Sequence, residues 1–250
     1  MREAALITGG GSGIGRALAH VLAGQFDMTV FIVGRRMAKL RETAQPFPKL
    51  IHPIAADVAS DAGRAAIETG LGQTRLRFLV HNAGVLEPVK PLLAVTLEEW
   101  RAHMAVNVEG PLFLTRLLLP RLQKGARILH ISSGAAHHAY AGWGAYCTSK
   151  AALHMIYRVL KEELAASGIL IGSVRPGVVD TPMQDRVRQA APEVFPALSK
   201  FLRLKEEGKL ISPQTSAQFI ARLLTAVPDD RFGQQEWDIR EHSDILPDTQ

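Results

Sequence analysis

Short apolar segments alternate with longer stretches of helical periodicity along most of the chain. The apolar segments lie at residues 4–8, 29–33, 50–56, 78–82, 127–132 and 169–174, with a weaker one at 235–239. They are apolar on both faces, as strands inside a parallel sheet are. The helical stretches lie at 14–24, 37–44, 60–71, 97–122 and 145–166. This alternation predicts an α/β fold, with one doubly wound parallel sheet and helices on both faces, in a single domain over residues 1–250.

Composition narrows the class of protein. Of the 250 residues, 47% are hydrophobic, which is enough for a large core and excludes intrinsic disorder. The net charge of +5 includes no Lys/Arg run longer than Arg35-Arg36, so it favours an anionic small ligand over nucleic acid. The single cysteine, the lack of a signal-peptide pattern and the lack of a long apolar run predict a cytoplasmic protein without a membrane partner.

A glycine-rich turn, ITGGGSGIG at residues 7–15, joins the first predicted strand to the first predicted helix. Glycines let the backbone approach a phosphate closely, and the N–H groups of a helix N-terminus favour an anion. The spacing Gly9-x-x-x-Gly13-x-Gly15 differs from the general GxGxxG fingerprint. Its place in the chain nevertheless predicts a phosphate-binding turn for a nucleotide cofactor.

The end of the second predicted strand indicates which cofactor. Gly34-Arg35-Arg36 stands where an NAD site usually has Asp or Glu. A guanidinium binds a 2′-phosphate at two points. Two solvated arginines are the alternative, but cations are unfavourable at the start of a helix. The pair predicts NADP (as NADPH) over NAD, without deciding which of Arg35 and Arg36 dominates.

Seven short motifs follow one another in the chain: TGGGSGIG (8–15), DV (57–58), NAG (82–84), NVEG (107–110), ISS (131–133), YCTSK (146–150) and RPGVVDT (175–181). In these motifs the chain resembles the compact, single-domain short-chain dehydrogenases/reductases, which implies a Rossmann fold. The resemblance runs from residue 4 to about residue 183. The stretches VLEPV (85–89), WGAYCTSKAAL (143–153) and GVVDTPMQ (177–184) look most like sepiapterin reductase-like and benzil reductase-like enzymes. Those enzymes reduce α-dicarbonyls or related ketones with NADPH.

The predicted catalytic residues are Ser133, Tyr146, Lys150 and Asn107. Tyr146 and Lys150 are one helical turn apart, so the ammonium is expected to lower the phenol pKa. The resemblance implies that Tyr146 transfers the proton, that Lys150 tunes it and holds the nicotinamide ribose, and that Ser133 orients the carbonyl. Ser132 is the adjacent alternative, on the opposite side of the strand.

The resemblance also implies the cofactor contacts, position by position. They are Gly9, Ser12, Gly13, Ile14 and Gly15 in the turn; Arg35 and Arg36; Asp57 and Val58 at the adenine; Asn82, Ala83 and Gly84 at the adenosine ribose; Tyr146 and Lys150; and Pro176, Gly177, Val179 and Thr181 at the nicotinamide.

Asn107 is implied by the resemblance to hold a water near Lys150. Pro111 lies four residues later and has no N–H, so the Asn107 carbonyl lacks its usual donor. We therefore predict a break in the helix at 107–111, with a water on that carbonyl leading towards Lys150. The alternative is a kink whose carbonyl faces solvent.

Residues 183–212 are predicted to cover the nicotinamide as a lid. An apolar inner face would comprise Met183, Val187, Phe195, Leu198, Phe201 and Leu202. It favours an aromatic or apolar carbonyl substrate, although such residues could also simply pack. The apolar helices at 111–120 and 151–160 are expected to form core and a subunit interface, in a homodimer or homotetramer.

His137 and His138 are predicted to lie in a solvated loop, with no metal site, since no ligand spacing supports one. Cys147 is interpreted as a buried small residue. The sequence thus predicts an NADPH-dependent carbonyl reductase. A dehydrogenase of another alcohol and an NAD(P)-dependent epimerase or dehydratase are alternatives, and chain length and glycine spacing disfavour the latter. A non-catalytic NADP-binding sensor would be expected to lack Ser133, Tyr146 or Lys150.

Overall fold

A seven-stranded parallel sheet forms the centre of the fold, in a computed structural model that describes residues 2–246. The strand order is β3-β2-β1-β4-β5-β6-β7. The strands are β1 (Ala4–Thr8), β2 (Thr29–Gly34), β3 (Ile51–Ala55), β4 (Leu76–His81), β5 (Leu122–Ile131), β6 (Leu170–Arg175) and β7 (Glu236–Asp238). The predicted doubly wound α/β architecture is confirmed, including the weak last strand.

Helices cover both faces of the sheet. They are α1 (Gly13–Phe26), α2 (Met37–Ala44), α3 (Asp61–Leu71), α4 (Leu97–Met104), α5 (Gly110–Leu118), α6 (Gly144–Leu164), α7 (Pro182–Arg188), α8 (Leu198–Glu206), α9 (Pro213–Thr225) and α10 (Asp229–Phe232). Within residues 2–246, none of them is both long enough and apolar enough to cross a membrane.

The two hydrophobic layers explain why the strands are apolar throughout. Ala5 and Ile7 of β1 pack in one layer with α1 and α9, while Ala4 and Leu6 pack in the other with α3, α5 and α6. Successive side chains of a strand point to opposite faces, and both faces are covered here.

The strand order reverses beside β1, whose neighbours are β2 and β4. In a doubly wound sheet such a switch point opens a crevice at the carboxyl ends of the strands. The glycine turn follows β1, and Asn82–Gly84 follows β4. Ser133 and Pro176 follow β5 and β6 at the same edge.

The stretch predicted as one helix over 97–122 is divided. A π-helical turn (Ala105–Glu109) separates α4 from α5, and a 3₁₀ turn (Leu119–Arg121) ends the helical part. Leu122 already belongs to β5, where it pairs with Leu76. The predicted boundary at 122 is therefore wrong, because the first residues of β5 pair with the start of β4.

Candidate active site

Ser133, Tyr146 and Lys150 meet at the carboxyl end of β5. Helix α6 begins at Gly144, which places Tyr146 and Lys150 on its first two turns, and both side chains are buried. The Lys150 Nζ donates a hydrogen bond to the Ile131 carbonyl at 2.8 Å and lies 5.7 Å from the centre of the Tyr146 ring. Ser133 begins the 3₁₀ turn after β5, and its Oγ accepts from the Ala135 N–H. The side chains that sequence reasoning selected as a catalytic set are thus neighbours.

Burial controls the protonation of this group. It raises the pKa of Tyr146 to about 12, while the Ser133 hydroxyl beside the phenol acts in the opposite direction. It lowers the pKa of Lys150 to about 8, partly offset by the Glu236 carboxylate. The expectation of a lowered tyrosine pKa is wrong for this structure, because desolvation of the phenolate outweighs the hydrogen bond from Ser133. A phenol with this pKa is protonated at neutral pH and can donate a proton.

Asn107 lies in the π-helical turn and is fully buried. Its Oδ1 accepts from the Val85 N–H and its Nδ2 donates to the Val85 carbonyl, each at 2.9 Å. A Cβ placed on Gly84 would lie 3.4 Å from Asn107 Oδ1 and 3.9 Å from Lys150 Nζ, so the three residues adjoin. Asn107 therefore fixes the loop after β4 next to the lysine.

The predicted helix break occurs, two residues earlier than the range 107–111. The Gly110 N–H bonds the Ala105 carbonyl, one residue further back than in an α-helix. Pro111 explains the irregularity, because it cannot donate to the Asn107 carbonyl. The water on that carbonyl stays a prediction.

A buried histidine that sequence reasoning missed orients Asn107. His103 Nδ1 lies 2.7 Å from the Glu87 carbonyl and must donate to it, so Nε2 is left to accept. Asn107 Nδ2 lies 2.9 Å from this Nε2, and Ser149 Oγ also lies 2.9 Å from it. Burial lowers the pKa of His103, which favours the neutral ring. The available signal was its position, one helical turn before Asn107.

The glycine turn leaves no room for side chains. Gly9 and Gly13 have φ values of 70° and 52°. A Cβ on Gly9 would lie 2.8 Å from Asn82 Nδ2, and one on Gly15 would lie 2.6 Å from the same atom. Ser12 begins α1 without a side-chain hydrogen bond to the helix, and Ile14 packs against the core. This narrow turn at a helix N-terminus fits the phosphates of a dinucleotide.

Asn82 is held within the protein. Its Nδ2 donates to the Thr8 carbonyl at 2.8 Å, and Thr8 Oγ1 accepts from the N–H groups of both Asn82 and Ala83 at 3.0 Å. Thr8, which sequence reasoning did not select, thereby joins the ends of β1 and β4. Asn82 therefore shapes this wall of the crevice through its amide contacts with β1.

Asp57 and Val58 follow β3. Asp57 Oδ1 accepts from the Ala59 N–H at 3.0 Å, and Arg64 donates to the Val58 carbonyl at 2.7 Å. The Val58 side chain is buried. The turn that carries both residues is thus fixed before any ligand binds.

Arg35 and Arg36 are exposed at the end of β2, and Arg36 is the N-cap residue of α2. The nearby acid Glu42 instead pairs with Lys39 at 2.9 Å and with Arg16 at 3.4 Å. In the part of the chain that the structure describes, neither Arg35 nor Arg36 forms an ion pair. Both guanidinium groups are therefore available to an anion.

The segment after β6 forms the opposite wall. Pro176 is buried, and Gly177 has a φ of 80°. Ile211 fixes the next residues, since its N–H donates to the Val178 carbonyl and its carbonyl accepts from the Asp180 N–H, each at 2.9 Å. Val179 lies between these bonds, and Thr181 precedes α7 beside Gly13.

The segment 183–212 packs against the Tyr146 side of this crevice. One hydrophobic cluster combines Leu86, Trp143 and Tyr146 with all six residues of the predicted inner face, Met183, Val187, Phe195, Leu198, Phe201 and Leu202. Trp143 and Phe195 stack with ring centres 4.5 Å apart. The apolar surface beside the phenol is therefore largely aromatic.

Three residues near Tyr146 in the sequence were not selected for catalysis: His137, His138 and Cys147. Cys147 is half-buried, its Sγ contacts the His138 carbonyl, and burial raises the pKa of its thiol. His138 is exposed, as predicted. His137 is exposed too, as predicted, and its Nε2 lies 2.5 Å from Glu236 Oε2, because β7 brings a carboxylate next to this loop.

Comparison with known proteins identifies the family. The family model described as "short chain dehydrogenase" matches residues 3–192. The chain belongs to the short-chain dehydrogenase family. It is therefore an oxidoreductase that acts on CH–OH or C=O groups and binds a nicotinamide cofactor, and the geometry of the glycine turn fits such a group.

Relatives of this short-chain dehydrogenase include two reductases. The benzil reductase ((S)-benzoin forming) of Bacillus cereus is 33% identical over 88% of this chain and 92% of its own. The sepiapterin reductase of Xenopus tropicalis is also 33% identical, over 88% and 90%. A crystal structure of a short-chain dehydrogenase/reductase from Saccharomyces cerevisiae superposes with a TM-score of 0.89, at 29% identity over 98% of this chain and all of the other.

Two further solved relatives carry cofactors, and they differ. A 3-ketoacyl-(acyl-carrier-protein) reductase from Brucella melitensis is complexed with NADH (TM-score 0.79, 26% identity, 94% of this chain and 95% of that one). A metagenomic short-chain oxidoreductase is complexed with NADP (TM-score 0.72, 27% identity, 94% and 93%). The choice between the two nucleotides has to be argued from this chain's own residues.

Proposed function

We propose that this short-chain dehydrogenase reduces a ketone or α-dicarbonyl to the alcohol with NADPH, and that Tyr146 is the proton donor. The observation that carries the proposal is the buried phenol, protonated at neutral pH, beside the Ser133 hydroxyl and one helical turn from Lys150. The names of the benzil and sepiapterin reductases support a carbonyl substrate.

Ser133 and Tyr146 would have different roles in the reduction. The nicotinamide, when bound, supplies a hydride to the carbonyl carbon. Ser133 donates a hydrogen bond to the carbonyl oxygen and orients it, and the Tyr146 hydroxyl transfers its proton to that oxygen. The carbon has then gained a hydride and the oxygen a proton, which gives the alcohol and a Tyr146 phenolate.

Lys150 would return the proton to Tyr146. Its pKa of about 8 lets it give up a proton near neutral pH. A water on the Asn107 carbonyl would connect the lysine to solvent, because Pro111 has no N–H to donate to that carbonyl. His103 is a positioning residue in this scheme, since it acts only through the Asn107 side chain.

Arg35 and Arg36 would select NADPH by binding the 2′-phosphate. Both are exposed, and in residues 2–246 neither forms an ion pair with an acidic side chain. The other proposed cofactor contacts follow the walls of the crevice: Gly9, Ser12, Gly13, Ile14, Gly15, Asp57, Val58, Asn82, Ala83, Gly84, Tyr146, Lys150, Pro176, Gly177, Val179 and Thr181.

The segment 183–212 would act as a lid that selects aromatic or apolar carbonyl compounds. Its support is the aromatic cluster of Trp143, Phe195 and Phe201 beside Tyr146. A flat aromatic substrate could replace part of this packing at little cost in buried apolar area.

A dimer is proposed through α5 and α6. Met155 and Val159 of α6 and Phe113 of α5 are exposed by 51%, 46% and 38%. An apolar depression of about 470 Å³ lies beside them, lined by Leu112, Ala152, Met155, Ile156, Val159, Leu160 and Glu163. Exposed apolar surface of this kind is typical of subunit interfaces. The proposed assembly is a homodimer or a homotetramer.

The test is NADPH oxidation by the purified protein with benzil, sepiapterin and simple aliphatic ketones as substrates. We expect turnover with the α-dicarbonyls, and little with Ser133→Ala. Tight NADPH binding without turnover over a wide panel would favour the non-catalytic sensor instead.

A further inference from the structure

A second cluster of reactive side chains lies where the loop after β5, helix α6 and strand β7 meet. It comprises His137 after β5, His154 on α6 and Glu236 at the start of β7. His137 Nε2 lies 2.5 Å from Glu236 Oε2, and His154 Nδ1 lies 3.2 Å from Glu236 Oε1. The proposed reduction uses neither histidine, and Glu236 enters it only through its charge near Lys150.

We propose that His137, His154 and Glu236 form a binding site for a divalent transition-metal ion, with Zn²⁺ the best match. Two imidazoles and one carboxylate are a ligand set that Zn²⁺ takes in proteins, leaving a fourth position for water. The three ligand atoms lie within 4.8 Å of one another. Tetrahedral coordination at about 2.0–2.1 Å places ligand atoms roughly 3.3 Å apart. The required adjustment is therefore about 1.5 Å or less.

The site is accessible on one side and fixed on the other. The side chains of His137, His154 and Glu236 are exposed by 37%, 21% and 8%. Ser173 Oγ donates to Glu236 Oε1 at 2.8 Å and fixes the carboxylate. Hydrogen bonds of this kind commonly orient the side chains that bind a metal. His137 follows a 3₁₀ turn, so it can move towards an ion while the helix and the strand hold the other two ligands.

The charges around the cluster permit a dication. Arg175 is the nearest competing cation, with its Nε 3.4 Å from Glu236 Oε2, and the buried Lys150 is a second one. The same guanidinium also lies 3.2 Å from Asp238 and 3.3 Å from Glu241. Because two further carboxylates share its charge, Arg175 leaves Glu236 only partly neutralised.

The carboxylate is ready to coordinate. Both of its oxygens are held, Oε1 by Ser173 Oγ at 2.8 Å and Oε2 by His137 Nε2 at 2.5 Å. The histidine nitrogens that now contact Glu236 must donate to it, because a carboxylate only accepts. Metal binding would take these same nitrogens in their deprotonated form, so affinity should fall with falling pH.

The test is a Zn²⁺ titration of the full chain after chelator treatment, against a chromophoric competitor. We expect one tight site per chain, and visible absorption bands of four-coordinate Co²⁺ when Co²⁺ replaces zinc. His137→Ala, His154→Ala and Glu236→Gln should each weaken binding by at least about tenfold, and Ser173→Ala by about tenfold. His138→Ala is the matched control, since this exposed neighbour lies outside the cluster, and it should bind within about twofold of the unmodified chain.

Absence of a stoichiometric site would overturn the proposal and leave Glu236 as a salt-bridge partner of the histidines. Unchanged affinity in His137→Ala would do the same, and that exposed residue can be replaced with little risk to folding. An equal loss in His138→Ala would indicate adventitious surface binding. The titrations do not test carbonyl reduction, because they measure metal binding and not turnover.

Discussion

The proposed site has two cationic parts, and they are built in opposite ways. Lys150 is buried behind Tyr146, with its Nζ bonded to the Ile131 carbonyl. Arg35 and Arg36 are exposed at the edge of the sheet, and within residues 2–246 neither has an ion-pair partner. The buried lysine thus has its hydrogen-bond partner without the cofactor, whereas the two arginines gain an anionic partner only when a ligand binds.

The difference separates catalysis from cofactor choice. A buried ammonium lacks full solvation, so it costs folding free energy, but its position is fixed before substrate binds. Exposed arginines cost almost nothing, and their contribution appears only with the ligand. Substitutions in the buried part should therefore change turnover and stability together, whereas substitutions at the edge should change only cofactor selection.

The largest effect is expected for Tyr146→Phe. The ring and its packing against Trp143 survive, but the proton donor is lost, which should lower kcat by about 10²–10⁴-fold. NADPH affinity, measured by fluorescence titration, should stay within about threefold of the unmodified enzyme. Lys150→Ala is the comparison, and it should damage both cofactor binding and turnover. A Tyr146→Phe enzyme with most of its activity would remove the phenol from the mechanism.

The buried part should also be sensitive to acid. Burial lowers the pKa of His81, of His103 and of His130, the last to about 3. The unfolded chain takes up these protons first as the pH falls below about 6.5, so stability is full above that pH and is lost below it. From about pH 7 to pH 5.5, His130 alone should remove about 1 kcal/mol from the free energy of unfolding, and His81 and His103 should add to the loss in the same direction.

Denaturant unfolding at the two pH values measures this loss. His130→Leu is the informative variant, because the ring is fully buried and its folded-state pKa of about 3 keeps it neutral over this range. It should reduce the acid loss by about 1 kcal/mol. If the variant and the unmodified protein respond equally, His130 does not stay neutral in the fold.

Residue types and positions in the sequence predicted the buried catalytic residues. They did not predict the residues that hold the surrounding side chains and loops by hydrogen bonds. The Tyr146–Lys150 spacing and the strand ends suffice to bring the main catalytic side chains together. Thr8, His103 and Glu236 were missed, because their partners lie 74, 46 and 99 residues away in Asn82, Ser149 and His137. Contacts between distant elements leave no local periodicity to detect.

The sign of the Tyr146 pKa shift was wrong for a related reason. Spacing shows that an ammonium is near, but the extent of desolvation depends on Trp143 and on the segment 183–212, which cover the phenol from elsewhere in the chain. The position of the helix break was nearly right, because the missing N–H of Pro111 is a local property.

At the exposed edge, the double change Arg35→Ala and Arg36→Ala should remove the preference for NADPH. A charge-assisted phosphate contact contributes roughly 1.5–3 kcal/mol, or about ten- to a hundredfold in kcat/KM for NADPH. NADH use should be nearly unchanged, because NADH has no 2′-phosphate. The two single variants would show which arginine dominates. Equal use of both cofactors by the unmodified enzyme would contradict the assignment.

The smallest effect expected is a gain in stability for Lys150→Met. In the folded protein the pKa of Lys150 is about 8, below its ordinary value of 10.5, so the charged form is disfavoured by about 3 kcal/mol at neutral pH. Methionine removes that cost but leaves the Ile131 carbonyl unpaired, so the net gain should be about 1–2 kcal/mol. As the pH rises from about 8 to 10.5, the unmodified protein sheds the same penalty, and the gain should turn into a loss of about 1–2 kcal/mol because the neutral amine still bonds the Ile131 carbonyl. The measurement is the difference in unfolding free energy between the two cofactor-free proteins at pH values below and above that range.

Arg36→Met is the matched control, since removal of an exposed cation should shift stability by less than about 0.5 kcal/mol at either pH. A Lys150→Met protein less stable than the unmodified one at neutral pH would mean that the buried ammonium is better solvated than its contacts indicate.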